Sequence, residues 1–316
     1  MLNISVLDAA TLGDDLDLSP LSAVGQVTVY RTSTPEQVME RIVDCDAVLI
    51  NKIKLGAHNL PLAKNLKLIC VAATGYDNID VAYCREHGIA VCNVVGYSTN
   101  NVAQLTVAMA LSLYTHLPAF AETTRSGSYT RGGVANCLTP AYHEIAGKTW
   151  GVAGFGNIGS AVGRIAGALG CHVLAYKRTP TDEVTCVDFD TLCRRSDILS
   201  LHLPLSDATR CILDAEHIAM LPKGAIVINV ARGAVADEAA LADALESSHL
   251  AGLGIDVYST EPFGEDHPFY RLRNRDDVCF TPHMAWGSIE ARERCLREIV
   301  MNMEAFVRGE RRNRLD

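Results

Sequence analysis

The sequence predicts an α/β protein built from two doubly wound parallel sheets with a cleft between them. Short apolar runs such as Ala47–Ile50 and Leu68–Val71 alternate with helical patterns, as buried parallel strands joined by helices do. This alternation occurs twice, once before about residue 98 and again after about residue 149. The second block opens with a glycine-rich turn, Gly154 to Gly159, between an apolar run and an amphipathic segment. Two such blocks predict two domains.

The first block predicts five strands and at least two helices. Its strands are expected at 3–7, 27–30, 47–50, 68–71 and 89–92. Thr34-Pro35-Glu36-Gln37 predicts a helix start, because threonine caps, proline suits the first turn and glutamine follows three residues after the cap. A second helix is expected from Val81 to Gly88.

The second block predicts a larger sheet. A helix from Asn101 to about Leu117 is apolar on most sides and is expected to be a linker buried between the domains, and residues 121–147 are expected to be irregular. Strands are expected at 150–153, 173–176, 198–203, 225–230, 253–257 and 278–281, with helices at 158–169 and after the capping residue Asp237. A last helix, from Ser288 to Gly309, is assigned to the first domain. The predicted domains are therefore 1–98 with 287–316, for substrate, and 99–286, for the dinucleotide.

Composition narrows the class of protein. The formal net charge of −9 disfavours binding to nucleic acid or to an anionic membrane. The 11 cysteines are scattered and include no C-x-x-C pair, which predicts reduced thiols in a cytoplasmic protein and no metal site. No apolar run is long enough to cross a membrane.

The turn Gly154-Phe-Gly-Asn-Ile-Gly159 has the pattern of a dinucleotide-binding loop. The first glycine permits a tight turn, the second lets the backbone approach a pyrophosphate, and the third lets the helix pack on the strand. The helix N-terminus then offers N–H groups to the phosphates. Gly154, Gly156, Asn157, Ile158 and Gly159 are therefore candidate cofactor residues, although an ordinary glycine-rich turn is the alternative.

Arg232, Glu261 and His283 each follow a different predicted strand of the second sheet. Residues that follow parallel strands gather at one edge of the sheet, where ligands bind. An arginine binds a carboxylate by two hydrogen bonds, a histidine transfers a proton near neutral pH, and a carboxylate orients that histidine. The alternatives are a structural histidine after Pro282 and a simple turn at Glu261-Pro262.

Several motifs in order give the chain a resemblance over nearly its whole length to the D-isomer-specific 2-hydroxyacid dehydrogenases. They are the glycine loop, Leu201-His-Leu-Pro-Leu205, Asn229 to Gly233, Gly254-Ile-Asp-Val-Tyr258 with Glu261-Pro262, and Thr281-Pro-His283. The resemblance implies a flavodoxin-like substrate domain and a Rossmann cofactor domain. Gly96-Tyr-Ser-Thr99, Asn51-Lys52 and His283-Met-Ala-Trp286 are similar to the glycerate dehydrogenase/hydroxypyruvate–glyoxylate reductase branch.

The resemblance implies a role for each candidate residue. Arg232 binds the carboxylate of a 2-oxo acid, His283 exchanges the proton as hydride moves, and Glu261 favours the protonated ring of His283. The further residues implied are Asp256, Val230, Ala231 and Thr99 for the cofactor, and Lys52, Gly75, Tyr76, Asn78 and Trp286 for the substrate. For Trp286 the alternative is packing at the domain junction, and for Asn78 a turn and helix cap. A homodimer is also implied.

The residues after the second strand of the cofactor domain depart from the usual NAD pattern. An acidic residue is expected there to accept hydrogen bonds from the ribose hydroxyls, but this chain has Lys177-Arg178-Thr179. Two cations and a hydroxyl suit a 2′-phosphate, which predicts a preference for NADPH, with NADH as the alternative. The competing function is a nucleotide-sensing binding protein or corepressor of the same fold, and oxidation of formate or phosphite ranks lower.

Overall fold

A computed structural model describes all 316 residues and divides the chain into two compact units. The smaller unit contains Met1–Ser98 and Gly287–Asp316, and the larger unit contains Thr99–Trp286. Each unit is built on one sheet whose strands are all parallel. The predicted α/β class with two parallel sheets is confirmed.

The smaller unit has a five-stranded sheet in the order β2-β1-β3-β4-β5. Its strands are β1 (Leu2–Val6), β2 (Gly25–Val29), β3 (Ala47–Ile50), β4 (Leu68–Val71) and β5 (Ala90–Cys92), and its helices are α1 (Pro35–Ile42), α2 (Val81–Glu86) and α10 (Ile289–Val307). The capping box predicted at Thr34 and Gln37 is present at the start of α1. Every residue of β3 and β4 is buried, as the continuous apolar runs require.

The larger unit has a seven-stranded sheet in the order β12-β11-β10-β9-β6-β7-β8. Its strands are β6 (Thr149–Ala153), β7 (His172–Tyr176), β8 (Thr185–Cys186), β9 (Ile198–Leu201), β10 (Ala225–Asn229), β11 (Leu250–Ile255) and β12 (Val278–Phe280). Its helices are α3 (Thr99–Thr115), α4 (Leu117–Arg125), α5 (Ser128–Gly132), α6 (Asn157–Ala168), α7 (Phe189–Arg195), α8 (Ala215–Met220) and α9 (Glu238–Glu246). The strand order reverses between β6 and β9, which is where such sheets bind nucleotides.

The helix expected to be a linker packs on the larger sheet. Helix α3 contacts α6 and strands β10, β11 and β12. Close approach is possible because Gly252 and Gly254 of β11 have no side chains: a Cβ there would lie 3.2 Å from Leu113 Cδ2 and 3.1 Å from Met109 Cβ. Helix α3 is therefore part of the core of this unit.

Two sequence expectations need correction. Residues 121–147 were expected to be irregular, but α4 ends at Arg125 and α5 covers Ser128–Gly132; both helices are short and neither has a buried residue. The strand expected at 253–257 is Leu250–Ile255, which places Asp256 directly after the strand. None of the helices is both long enough and apolar enough to span a membrane.

Candidate active site

The glycine loop forms a cradle at the start of α6. Gly154 has φ +97°, a left-handed value, and a Cβ there would lie 2.8 Å from the carbonyl of His202. A Cβ on Gly159 would lie 2.1 Å from the carbonyl oxygen of Gly154. A Cβ on Gly156, in contrast, would meet no atom within 4 Å, and no side chain caps the N-terminus of α6, where Asn157 and Ile158 follow. This open, uncapped helix end fits a pyrophosphate.

The cationic residues follow the neighbouring strand. Strand β7 pairs with β6 up to Ala153 and Tyr176, and the N–H of Gly154 donates to the carbonyl of Tyr176 at 2.9 Å. Lys177 is half-buried, whereas Arg178 and Thr179 are exposed. Lys177, Arg178 and Thr179 therefore directly follow the residue that is hydrogen-bonded to the first glycine of the loop. None of the three is a carboxylate.

Arg232 lies in a turn that Asn229 shapes. Asn229 is buried at the end of β10, its amide nitrogen donates to the carbonyl of Arg232 at 2.9 Å, and its amide oxygen accepts from the N–H of Ala231 at 3.0 Å. The guanidinium of Arg232 donates to the carbonyl of Ala231 at 2.8 Å. Val230 and Ala231 are half-buried in the same turn. Because the buried amide of Asn229 binds both a backbone carbonyl and a backbone N–H of the turn, it holds the turn in one conformation.

His283 and Glu261 are joined by a hydrogen bond beyond the ends of β12 and β11. His283 Nδ1 lies 2.6 Å from Glu261 Oε2, and the side chains are 20% and 29% exposed. The other carboxylate oxygen, Oε1, accepts from the N–H of Tyr258 at 3.0 Å. The sequence predicted that Arg232, Glu261 and His283 follow three different strands of one sheet; those strands, β10, β11 and β12, are neighbours in the structure.

The backbone of His283 is left-handed, with φ +52°. Such a value is uncommon outside glycine and is maintained only where the surroundings fix it. Asp256 supplies that constraint: its carboxylate accepts from Thr281 Oγ1 at 2.6 Å, from Met284 N at 2.8 Å and from Ala285 N at 2.9 Å. Trp286 Nε1 donates to the carbonyl of His283 at 3.1 Å.

Asp256 is nearly inaccessible to solvent, and burial raises the pKa of its carboxyl group, with the hydrogen bonds from Thr281, Ala285 and Met284 acting in the opposite direction. The sequence assigned Asp256 to the cofactor, and that role stays a prediction. The loop-holding contact with residues 281–285 was missed. No motif indicates it, because a buried carboxylate that binds backbone N–H groups has no spacing signature.

The candidate substrate residues of the smaller unit lie on two loops that buried polar side chains hold. Lys52 follows β3, where the buried carboxylate of Asp8 accepts from the N–H groups of Asn51, Lys52 and Ile53 at 2.7 to 3.3 Å. The amide of Asn78 donates to the carbonyls of Asn51 and Ile53 at 3.3 and 2.8 Å. Asp80, not Asn78, caps the following helix.

Two other candidate substrate residues precede Asn78 on its loop. Gly75 is half-buried and the side chain of Tyr76 is exposed. Thr99, a candidate cofactor residue, is the first residue of α3 in the larger unit. Asp8 was not predicted from the sequence, because a buried carboxylate that binds backbone N–H groups has no spacing signature.

The larger unit is thus a dinucleotide-binding domain whose sheet also carries a histidine–carboxylate pair, the class of architecture found in nicotinamide-dependent oxidoreductases. The chain belongs to the D-isomer specific 2-hydroxyacid dehydrogenase family, whose NAD-binding domain matches residues 107–285. This confirms the family resemblance, and with it the assignment as an NAD(P)-binding dehydrogenase.

The chain is similar to proteins of this family over most of its length. It is 36% identical to a hydroxypyruvate reductase of Blautia hydrogenotrophica over 98% of both chains. Among solved structures, it is similar to an acyclic imino acid reductase in complex with NADPH and D-Arg, with 27% identity, 99% of both chains and a TM-score of 0.88. It is also similar to the D-lactate dehydrogenase of Aquifex aeolicus complexed with NAD and lactic acid, with 28% identity, 98% of this chain, 96% of that chain and a TM-score of 0.87.

Proposed function

We propose that this protein reduces hydroxypyruvate or glyoxylate with a nicotinamide cofactor and catalyses the reverse oxidation of D-glycerate or glycolate. The observation that carries the proposal is the 2.6 Å pair of His283 Nδ1 and Glu261 Oε2, which follow β12 and β11, on the same side of β10 and the Arg232 turn. A histidine oriented by a carboxylate is equipped for general acid–base chemistry, and an arginine beside it binds the carboxylate that every 2-oxo acid has.

In the proposed reaction Arg232 binds the substrate carboxylate through two hydrogen bonds and polarises the neighbouring carbonyl. Glu261 binds Nδ1 of His283, so that Nε2 is the nitrogen that gives its proton to the carbonyl oxygen. The reduced nicotinamide, when bound, supplies a hydride to C2. The 2-oxo acid gains a hydride and a proton and becomes the 2-hydroxy acid, and His283 recovers a proton from solvent.

Two observations support a small substrate. Trp286 follows His283 by three residues, is half-buried and is held by its bond to the carbonyl of His283, so that its ring has a defined position near the acid–base pair. The relative that is 36% identical over 98% of both chains is named for hydroxypyruvate. Reduction of hydroxypyruvate at C2 gives glycerate. The reduction of hydroxypyruvate and the oxidation of glycerate are therefore the two directions of one reaction.

We propose that NADPH is preferred to NADH. The support is the position of Lys177, Arg178 and Thr179 directly after β7, beside the strand that leads into the glycine loop. The similar structures contain NADPH in one case and NAD in another, so family membership alone leaves both cofactors open. A 2′-phosphate would receive charge-assisted hydrogen bonds here, and the ribose of NADH would gain none of them.

The test of the cofactor proposal is a comparison of kcat/KM for NADPH and NADH in the wild type and in a Lys177→Ala, Arg178→Ala double variant. Charge-assisted bonds are worth about 1.5–3 kcal/mol each, so kcat/KM for NADPH should fall about ten- to a hundredfold or more. The value for NADH should change little, and the exposed Arg164→Ala variant serves as control. A several-fold advantage of NADH in the wild type would contradict the proposal.

The test of the substrate proposal is a panel of hydroxypyruvate, glyoxylate, pyruvate and phenylpyruvate with each cofactor, followed by the absorbance of the reduced nicotinamide. We expect hydroxypyruvate or glyoxylate to have the highest kcat/KM, and His283→Asn to abolish turnover while cofactor binding remains. Tight nucleotide binding without turnover of any of the four acids would favour a nucleotide-sensing binding protein or corepressor instead.

We propose that two copies of the chain associate through residues 118–147 and the helix before them. Most residues of 118–147 are exposed, and the exposed apolar side chains in and next to this segment include Leu117, Val134, Leu138 and Tyr142. Leu138 is 69% exposed. Apolar side chains gathered in this way mark interaction surfaces. Light scattering should give the mass of a dimer, and Leu138→Asp should shift it toward the monomer; a wild-type monomer would contradict the proposal.

A cytoplasmic location is also proposed. All eleven cysteines are free thiols, and most are buried. Such thiols are typical of a reducing compartment.

A further inference from the structure

Glu238 is a buried carboxylate that the proposed reaction does not use. It is the first residue of α9 and is 8% exposed. Its oxygen Oε1 accepts from the N–H of Ser259 at 2.9 Å, and Oε2 accepts from the hydroxyl of Ser259 and lies 3.0 Å from Nε2 of His267. A carboxylate removed from water persists only where donors surround it. Here all three donors come from the loop that carries Glu261.

His267 binds Glu238 in a defined tautomer. Its Nδ1 accepts from the N–H of Phe269 at 3.2 Å, so the ring hydrogen is on Nε2 and is donated to Glu238. The ring is 9% exposed and lies among Tyr258, Phe263 and Phe269, with centroids 6.0, 4.9 and 5.3 Å away. We call Glu238, Ser259 and His267 the Glu238 cluster.

The Glu238 cluster lies beside the peptide that joins Tyr258 to Ser259. The N–H of Tyr258, in the adjacent peptide, donates to Glu261 Oε1 at 3.0 Å, so the backbone of Tyr258 links the Tyr258–Ser259 peptide to the Glu261 carboxylate. The opposite side of the peptide packs on Gly233, where a Cβ would lie 2.0 Å from the carbonyl carbon of Tyr258 and 2.1 Å from the nitrogen of Ser259. Gly233 directly follows Arg232.

The backbone of Tyr258 therefore connects two candidate catalytic residues. The peptide after Tyr258 packs against the residue after Arg232 and gives the N–H of Ser259 to Glu238, and the peptide before Tyr258 gives the N–H of Tyr258 to Glu261. Glu238 itself is six residues from Arg232 along the chain. Thus the Glu238 cluster ties the loop of Glu261 to the segment of Arg232, and displacement of the peptide would move Glu261 Oε2 away from His283 Nδ1.

We propose that Glu238, supported by His267, is a positioning residue for the reaction: it holds the Tyr258–Ser259 peptide and thereby keeps Glu261 in contact with His283. The inference rests on the proposed function of that pair. A purely structural hydrogen-bonded cluster would stabilise the fold without any effect on the protonation of His283. The two roles therefore differ in a measurable property of a residue that Glu238 does not touch.

The main variant is Glu238→Gln, which keeps the size of the side chain but removes its charge and one of its acceptors. Glu246→Gln is the matched control, because it makes the same change at an exposed carboxylate of the same helix. Loss of geometry at a reaction centre lowers turnover by about ten- to a hundredfold. For Glu238→Gln we expect that loss in kcat, little change in cofactor affinity, and an alkaline limb of the reduction rate at lower pH.

The titration of His283 can also be followed directly by NMR of histidine-labelled protein, with the resonance assigned through a His283→Gln variant. We expect a lower titration midpoint in Glu238→Gln than in the wild type or in Glu246→Gln. In the double variant Glu238→Gln, Glu261→Gln the midpoint should fall no further than in Glu261→Gln alone, because Glu238 acts through Glu261.

A folded Glu238→Gln variant with a lower Tm but unchanged kcat, pH profile and His283 midpoint would overturn the proposal, and so would additive shifts in the double variant. If Glu238→Gln does not fold, Ser259→Ala removes only the hydroxyl contact and should shift the midpoint in the same direction, and an unchanged midpoint would overturn the proposal. If the wild type reduces no 2-oxo acid, the proposed function fails, whereas the NMR midpoints still decide the role of Glu238.

Discussion

Replacement of Glu261 by glutamine should change the pH dependence of reduction more than it changes the geometry of the site. A glutamine oxygen can still accept from the N–H of Tyr258 or from Nδ1 of His283, where the carboxylate now lies at 3.0 and 2.6 Å. What the variant loses is the negative charge. Reduction of a 2-oxo acid needs the protonated imidazole of His283, so the rate falls at the pH where that proton is lost, and that pH should be lower in the variant.

The size of the effect on reduction follows from Coulomb's law. Opposite charges with centres roughly 4 Å apart attract by about 1 kcal/mol in water and about 4 kcal/mol in the surroundings typical of a protein surface. The side chains of His283 and Glu261 are 20% and 29% exposed, so solvent screens the pair in part and a value of about 1.5–3 kcal/mol is expected. Since about 1.4 kcal/mol is a factor of ten in an equilibrium constant, kcat/KM for reduction on the alkaline side should fall roughly ten- to a hundredfold in Glu261→Gln.

The measurement is kcat/KM for hydroxypyruvate and glyoxylate across the pH range with saturating reduced cofactor. Glu265→Gln is the matched control, since this exposed carboxylate lies on the same loop and accepts from the hydroxyl of Tyr270 at 2.8 Å. Its profile should coincide with that of the wild type. A Glu261→Gln profile that also coincides with the wild type would refute the assignment of Glu261 as the partner that favours protonated His283.

The other predictions concern cofactor binding and stability. Gly156→Ala should leave Tm unchanged, because its Cβ meets no atom within 4 Å, but should weaken cofactor binding about tenfold or more by occupying the space before α6. Gly159→Ala should lower stability by about 1–3 kcal/mol, since its Cβ would lie 2.1 Å from the carbonyl oxygen of Gly154; fluorescence titration and thermal unfolding distinguish the two, and equal Tm losses would contradict the pair. Burial lowers the pKa of His202 from its ordinary 6.5 to about 3. Between these values the unfolded chain binds a proton that the folded chain does not, so the free energy of unfolding falls as pH falls through this window. Urea unfolding of His202→Asn should therefore show less loss of stability than the wild type, by about 2 kcal/mol between pH 7 and pH 5, while the exposed His143→Asn should behave as the wild type does.

The regular elements that carry the candidate site could be predicted because their signals are local. The capping box at Thr34 and the glycine turn at Gly154 depend on residues a few positions apart, and both are present in the structure. Helices α4 and α5 were not predicted; they are short and bury no residue, so little packing supports them. His116, with φ +49°, separates α3 from α4, and Pro118 in the first turn of α4 is the sequence signal that could have indicated this break.

The contacts that hold the candidate site could not be predicted, because they join residues far apart in the chain. His267 reaches Glu238 across 29 residues, Asp256 binds residues 281–285, and Asp8 binds the loop that starts at Asn51. Aspartate and glutamate are usually exposed, so a sequence alone favours a solvated position for each of them. Only the fold shows that these carboxylates are buried and that backbone N–H groups surround them.

Three carboxylates have complementary effects on His283. Asp256 fixes the left-handed backbone at His283 through the N–H groups of Met284 and Ala285, whereas Glu261 fixes the ring through Nδ1. Glu238 acts one step further away, on the peptide after Tyr258, whose own N–H binds Glu261. Glu261 binds the imidazole directly and Asp256 also interacts with His283 through its charge, whereas loss of Glu238 should affect protonation through geometry.

The position of Arg232 depends on different contacts, namely the bonds of Asn229 to its turn and the packing of Gly233 on the Tyr258–Ser259 peptide. Changes at these two residues should therefore raise KM for the 2-oxo acid, because they displace the group proposed to bind its carboxylate. Changes at the three carboxylates should instead alter kcat and its pH dependence, because they displace or discharge the group proposed to transfer the proton. The two sets of contacts meet at the Tyr258–Ser259 peptide, which packs on Gly233, and at the N–H of Asp256, which donates to the carbonyl of Asn229 at 3.0 Å.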